Sequence, residues 1–164
     1  MSLKDTPLGK PEEFNVVIEI PKGSEKKFEY DEATDQIVVD FIFTDGFKYF
    51  FNYGFIPQTK AQDGDTLDVI VLGPTLESGA VVLCRPIGII KQLDRGQEDH
   101  KVVAVPVDCS ETEKLQNIQD LKDAEWQRFK DFYTEIGRQK QKKIEIIGFE
   151  DKDQAVAEIK KSLL

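Results

Sequence analysis

The sequence predicts a mainly β fold with helices added late in the chain, an α+β arrangement, and three features carry that expectation. From Phe14 to Val107 the apolar residues fall in short β-branched and aromatic runs, each closed by Gly, Pro, Asp or Asn. After Asp123 the spacing changes, and Trp126, Phe129, Tyr133 and Ile136 recur three or four residues apart, the period of a helix. At 164 residues the chain is long enough to bury a full core as one domain, residues 1–164, without metal or disulfide staples.

Taken in order, Met1 to Glu13 is polar, holds Pro7 and Pro11, and reads as an arm or loop. Phe14 to Ile20 is a strand ended by Pro21-Lys22-Gly23-Ser24. Lys27-Phe28-Glu29-Tyr30 alternates, which sets Lys27 and Glu29 on one face of a short strand and Phe28 and Tyr30 on the other. Asp31 to Asp35 is a turn, and Gln36 to Phe43 a further strand. Thr44-Asp45-Gly46 leads into the aromatic segment Phe47 to Tyr53, where Tyr49 and Tyr53 share a face, and Asn52, Gly54 and Pro57 signal a bend. Leu67 to Leu72 and Ala80 to Ile90 are strands; Lys91 to His100 is a polar loop; Lys101 to Val107 is a strand again. Glu111 to Ile118 fits a short helix, and Asp123 to Ile136 a longer one with Gly137 as its C-cap. The basic run Arg138 to Lys143 reads as a solvated face. Lys143 to Phe149 is a last strand, and Asp151 to Leu164 an amphipathic helix with Val156, Ile159 and Leu163 inward. No internal repeat, low-complexity segment or interdomain linker is present.

Charge narrows the function. The net charge of -9, from 22 basic and 31 acidic residues, argues against nucleic acid as a partner, because a phosphate backbone calls for a basic face. Small phosphate ligands stay open if metal ions mediate. Arg85 interrupts the longest apolar run and the N-terminus is too polar for a secretory signal, so the expectation is a cytoplasmic protein with no membrane partner. Cys84 and Cys109 lie in apolar, strand-like surroundings, where free cysteines behave as small hydrophobes.

The chemistry concentrates in Gln62 to Gly73, where Asp63, Asp65 and Asp68 fall within six residues at the mouth of a strand. Carboxylates this close raise one another's pKa unless a cation or donor relieves them. Gly64 lets the loop turn so that they can converge. An EF-hand is excluded, because Leu67, Asp68 and Pro74 stand where a third ligand, a glycine and the closing glutamate belong. With only oxygen ligands in the loop, Mg2+ or Mn2+ suits better than zinc. A metal site and a solvated acidic turn both fit the triplet taken alone. Asp94, Glu98 and Asp99 make a second acidic loop, again either ligands or a wet surface. His100 is the only histidine, has no evident partner, and reads as a surface residue.

Over about Val16 to Phe149 the residues together resemble the soluble inorganic pyrophosphatases of family I. The resemblance rests first on Asp63-Gly-Asp-Thr-Leu-Asp68-Val, with Thr66 where Pro or Glu is usual. Around it stand Ile18-Glu19-Ile20-Pro21, Lys27-Phe28-Glu29, Asn52-Tyr53-Gly54-Phe55-Ile56, Cys84-Arg85-Pro86-Ile87-Gly88, and Asp94 through Asp99 to Lys101 with Val102-Val103-Ala104-Val105-Pro106. It implies a closed β-barrel of the OB type with helices outside, and Mg2+-dependent hydrolysis of pyrophosphate. By similarity Asp63, Asp68 and Asp99 would hold a first metal, with Asp68 shared with a second. Asp94 and Asp99 would serve a third ion and Glu29 a further one, and Asp65 would be the base for a water bridging two metals. Lys27, Lys101, Tyr53 and Tyr133 would contact phosphate and Tyr49 would line the pocket, while Glu19 matches the pattern without an assigned role. The resemblance also implies a homo-oligomer, hexamers being usual among bacterial members of this length.

Two departures touch the substrate clamp. Val39-Asp40 is followed by Phe41 where the family usually has arginine, and Tyr133 by Thr134 where it usually has lysine. Each charge-assisted contact is worth roughly 1.5–3 kcal/mol, so losing two costs on the order of a hundredfold or more in transition-state stabilisation. Arg95, in place of a common acidic residue, could return a positive charge, and Lys48 and Arg138 are further stand-ins. A hydrolase of another phosphoanhydride and a catalytically silent metal-binding protein are therefore the rival readings. An oligonucleotide-binding barrel is disfavoured by the acidic balance.

Overall fold

The computed structural model describes residues 1–164. Its strands are β1 (Gly9–Lys10), β2 (Glu13–Ile20), β3 (Lys26–Asp31), β4 (Gln36–Ile42), β5 (Asn52–Ile56), β6 (Leu67–Val71), β7 (Val81–Asp94), β8 (Gln97–Glu98), β9 (Lys101–Pro106) and β10 (Ile144–Asp151). Its α-helices are α1 (Asp123–Lys140) and α2 (Lys152–Lys161). Five strands close a ring in the order β2-β5-β6-β9-β7, with β7 pairing back onto β2. All these pairings are antiparallel except β6 with β9. The expected closed barrel with helices outside is the fold observed, and closure leaves its five strands no bare edge. No helix is long and apolar enough to cross a membrane.

The long strand β7 is the spine. Its first residues pair with β2, its middle with β9, and Gly88–Asp94 with β10. The stretch Lys91 to Asp94, expected in a polar loop, is therefore strand, because β10 satisfies its backbone. A two-residue turn, Arg95 (φ 52°) and Gly96 (φ 82°), then folds β8 back, the geometry a tight hairpin requires.

Asn52 and Gly54, expected to mark a bend, sit inside β5. Asn52 is fully buried and its side chain carries backbone groups of two loops: Nδ2 donates to Pro74 O at 2.9 Å, and Oδ1 accepts from Lys22 N and Leu76 N at 2.9 Å each. Gly54 is there for close approach, since a Cβ would run into the Val17 carbonyl of β2. Tyr49 precedes the strand, yet its ring still meets that of Tyr53 at 6.2 Å.

Helix α1 packs its stripe of Phe129, Phe132, Tyr133 and Ile136 onto the aromatic segment before β5. Phe132, absent from the stripe expected, lies 4.9 Å from Phe51 and 5.0 Å from Tyr49, pairs worth about 0.5–1.5 kcal/mol each beyond area burial. The helix runs through Gly137 and caps instead at Gln141, whose φ is 55°. Two 3-10 turns, Ser110–Thr112 and Ile118–Asp120, replace the expected short helix. In α2 the inward residues are Ala155 and Ile159, whereas Leu163 is exposed. Both cysteines are free, Cys84 buried and Cys109 half-buried.

The β3–β4 hairpin stands apart from the barrel sheet. Glu19 ties it down by accepting from Tyr30 N at 2.8 Å, and Tyr30 stacks on Phe55 at 5.3 Å. The pairing slips between Lys27 and Phe28, where Asp40 of β4 has no partner, and Lys27, Phe28, Glu29 and Tyr30 all border the same cleft.

Candidate active site

The parallel register of β6 and β9 sets Asp68 beside Lys101. The Lys101 ammonium donates to Asp68 Oδ2 at 2.7 Å and to Asp99 Oδ2 at 3.0 Å, and it lies 5.4 Å from the centre of the Tyr53 ring. Burial alone would favour the neutral amine, but Asp68 and then Asp99 outweigh it and hold Lys101 protonated, above the ordinary lysine value. Asp68 and Lys101 form the floor of an open cleft of about 980 Å³.

The acidic loop borders one side. Gly64 (φ +90°) makes the turn, Asp63 Oδ1 accepts from Asp65 N at 3.0 Å, and Ala61 N donates to Asp65 O at 2.7 Å. Burial, then Asp63, Asp68 and Asp99, push the Asp65 carboxyl above the usual carboxylate range. Also bordering the cleft are Asp94, at the end of β7, and Asp99, whose N–H donates to Gln92 O at 2.9 Å. Asp94 accepts from Lys142 Nζ at 2.7 Å and from Arg95 Nε at 3.2 Å. Burial opposes its ionisation, but Lys142 and Arg95 win and hold it below the ordinary range.

Tyr49, Tyr53 and Tyr133 make the buried wall, and burial raises all three phenols. The Tyr133 hydroxyl has no hydrogen-bond partner, nor does Gln92 Oε1. Burial also pushes Glu19 up to about 8, against the bond from Tyr30 N. Lys27 donates to Asp40 Oδ2 at 2.9 Å, and Glu29 is exposed at the rim. All eleven residues singled out from sequence, Lys27, Glu29, Tyr49, Tyr53, Asp63, Asp65, Asp68, Asp94, Asp99, Lys101 and Tyr133, border this one cleft.

The sequence matches the family described as inorganic pyrophosphatase over residues 16–164. The chain belongs to that family. An inorganic pyrophosphatase of Aquifex pyrophilus is 41% identical, with 99% of this chain and 96% of that one covered. One from Yersinia pestis is 39% identical over 97% and 95% of the two chains. Among solved structures, an inorganic pyrophosphatase of Coxiella burnetii superposes with a TM-score of 0.91 at 37% identity, covering 96% of this chain and 98% of that one. The corresponding values for Thermus thermophilus inorganic pyrophosphatase are 0.92, 33%, 99% and 97%. Family membership makes this an inorganic diphosphatase, a hydrolase of the phosphoanhydride bond of pyrophosphate.

Against that pyrophosphatase frame the donor chemistry is uniform. The ionisable oxygens of the cleft are carboxylates and buried phenols, with no Cys or His among its lining residues, and the carboxylates fit hard divalent cations. Burial and then the acidic neighbours raise the Asp65 carboxyl, and a cation would relieve the neighbours' share. As the side chains stand, no three His, Cys, Asp or Glu residues are grouped closely enough to hold an ion, and Lys101 fills the space between Asp68 and Asp99.

The departures from the pyrophosphatase pattern are visible too. Phe41 is half-buried and packs on Phe43 at 4.9 Å, and Thr134 is exposed with its hydroxyl donating to Lys130 O at 2.9 Å. Neither proposed stand-in reaches the cleft: Lys48 lies 4.0 Å from Glu25, and Arg138 pairs with Glu135 and Asp45. Arg95 does border it, held to Asp94. Lys140 and Lys142, assigned from sequence to a solvated basic face, instead line the cleft. The helical register held the clue for Lys140, seven residues after Tyr133 and so on the same face. His100, expected at the surface, is half-buried outside the cleft.

Proposed function

We propose that this diphosphatase works in the cleft around Asp68 and Lys101 and that Mg2+ is its cofactor. The observation that supports the reading is the gathering of Asp63, Asp65, Asp68, Asp94 and Asp99, drawn from two separate stretches of chain, around one open cleft. Asp63, Asp68 and Asp99 would hold one ion, Asp68 sharing with a second, while Asp94 with Asp99, and Glu29 at the rim, would hold others. Bound Mg2+ would offset the charge of pyrophosphate and lower the pKa of water.

The residues then divide the work. Asp65, with its affinity for protons raised by burial and then by its acidic neighbours, accepts the proton of the attacking water. Water oxygen bonds to one phosphorus as the bridging P–O bond breaks, and the second phosphate leaves with the electron pair. Lys27, Lys101, Tyr53 and Tyr133 hold the phosphoryl oxygens in place, and Tyr49 closes the apolar wall behind them. The chain acts as one domain and as a homo-oligomer, which light scattering checks.

Phosphate release from pyrophosphate across a Mg2+ titration tests the reading directly. Turnover that needs Mg2+ and collapses in Asp65→Asn is the expected result. Equal rates with and without divalent ions, or an active Asp65→Asn protein, would sink it.

A further inference from the structure

The cleft binds an anion, so the state of each cation lining it matters. Lys27, Lys101 and Lys142 each already donate to a carboxylate, at 2.9, 2.7 and 2.7 Å. Lys140 is half-buried, borders the cleft, and has no carboxylate within 4.0 Å and no hydrogen-bond acceptor. Its ammonium instead rests 5.7 Å from the centre of the Phe41 ring. Burial, then Lys27 and Lys142, depress its pKa, with Asp40 and Asp94 opposing too weakly to restore it. A cation held where like charges and burial disfavour it is poised to take up an anion.

A second, independent feature lies on the same face of the helix. Tyr133 lies two turns earlier on α1 and on the same face, since seven residues at 3.6 per turn return nearly to the starting angle. Its side chain is buried, borders the cleft, and leaves its hydroxyl without a partner. A buried hydroxyl of that kind is explained by a group absent from the protein itself.

We propose that Lys140 is a substrate-binding residue, gripping one end of the pyrophosphate anion from its seat on the Phe41 ring, further along the helix face that carries the Tyr133 hydroxyl. This rests on the reading that the cleft takes pyrophosphate. It also accounts for the chain's tolerance of an apolar residue at position 41 and an outward-facing one at 134: the cation comes from the end of the helix and uses Phe41 as its seat.

The test compares Lys140→Ala, Lys140→Arg and, as a surface control, Lys143→Ala. Two quantities are read: KM and kcat for pyrophosphate at saturating Mg2+, and the Kd of inorganic phosphate by calorimetry. Losing one charge-assisted contact lowers kcat/KM and weakens phosphate binding by roughly 10- to 100-fold. Lys140→Arg recovers most of both, and Lys143→Ala changes neither. A Lys140→Ala protein within twofold of wild type in phosphate Kd overturns the proposal, as does a Lys140→Arg protein as impaired as Lys140→Ala. Should wild type release no phosphate from pyrophosphate, the functional reading fails by itself, and the phosphate Kd still decides the role of Lys140.

Discussion

Replacing Lys101 by Met keeps the length and the apolar stem but removes the ammonium between Asp68 and Asp99. Lys101 retains 5% exposure of its side chain, and its partners 27% and 19%, so none of the three is well hydrated. Breaking a buried pair by deleting one partner costs about 3–5 kcal/mol, because the remaining charge is left uncompensated. The residual exposure of the carboxylates puts this case near 3 kcal/mol. For a chain of this size that is a fall in Tm of roughly 6–12 °C. The measurement is thermal and urea unfolding of wild type and Lys101→Met in EDTA. Adding Asp68→Asn to Lys101→Met should recover part of the loss, since one of two repelling carboxylates is then gone, and a double-mutant cycle reads that coupling. Mg2+ should raise the Tm of Lys101→Met by more than it raises that of wild type. A Lys101→Met protein within 2 °C of wild type in EDTA (about the width of ~0.5–1 kcal/mol) refutes the claim that Lys101 is the resident counter-charge.

Three further outcomes follow from single contacts. Glu19 binds its proton more tightly folded, at about 8, than its ordinary value of 4.5, so wild type loses stability relative to Glu19→Gln as pH rises from 4.5 to 8. The difference in metal-free buffer should grow to the order of a few kcal/mol and then level off; a pH-independent difference would show that the carboxyl is not held neutral. Tyr133→Phe removes a buried hydroxyl that has no partner, so its unfolding free energy should equal or exceed that of wild type by up to about 1–2 kcal/mol. Its kcat/KM should nonetheless fall roughly tenfold or more, and a loss of stability would mean the hydroxyl has a protein partner after all. Gly54→Ala drives a methyl into the Val17 carbonyl and should cost about 3 kcal/mol or more by denaturant unfolding; a neutral result would mean that β2 and β5 can separate freely at that point.

Much of this was legible in the chain because the physics involved is local. Val, Ile and aromatic residues at alternate positions give strands whether or not their partners are known, and β2, β4, β6 and β9 came out within a residue or two. The segments that resisted depend on distant partners. Asn52 and Gly54 carry turn chemistry, yet one is satisfied by Lys22, Pro74 and Leu76 and the other accommodates the backbone of β2. Lys91 to Asp94 has no clean alternation, and only β10, some fifty residues later, makes it a strand. Glu111 to Ile118 has helix-compatible residues, but the Arg85 guanidinium takes the carbonyls of Leu115 at 2.6 Å and Thr112 at 3.2 Å, fixing irregular turns. The same division holds in the cleft: the aspartates announce themselves by crowding, whereas Lys140 and Lys142 look like any basic run until α1 and β10 carry them to the cleft wall.

Those lysines offset much of the acidic charge of the cleft. Eleven acidic and seven basic side chains border it, and the buried Glu19 stays protonated below about pH 8. Lys27, Lys101 and Lys142 each spend their charge on a carboxylate already present, so they stabilise the folded protein before any substrate arrives. An incoming polyphosphate anion therefore meets a cleft of its own sign, with Lys140 as the half-buried cation still uncommitted. Unassisted binding should be weak on Coulombic grounds alone. Divalent ions that draw Asp68, Asp94 and Asp99 away from their lysines would free Lys101 and Lys142 for phosphate at the moment the anion needs them. Metal and substrate should consequently bind with positive coupling, each tightening the other by the same factor.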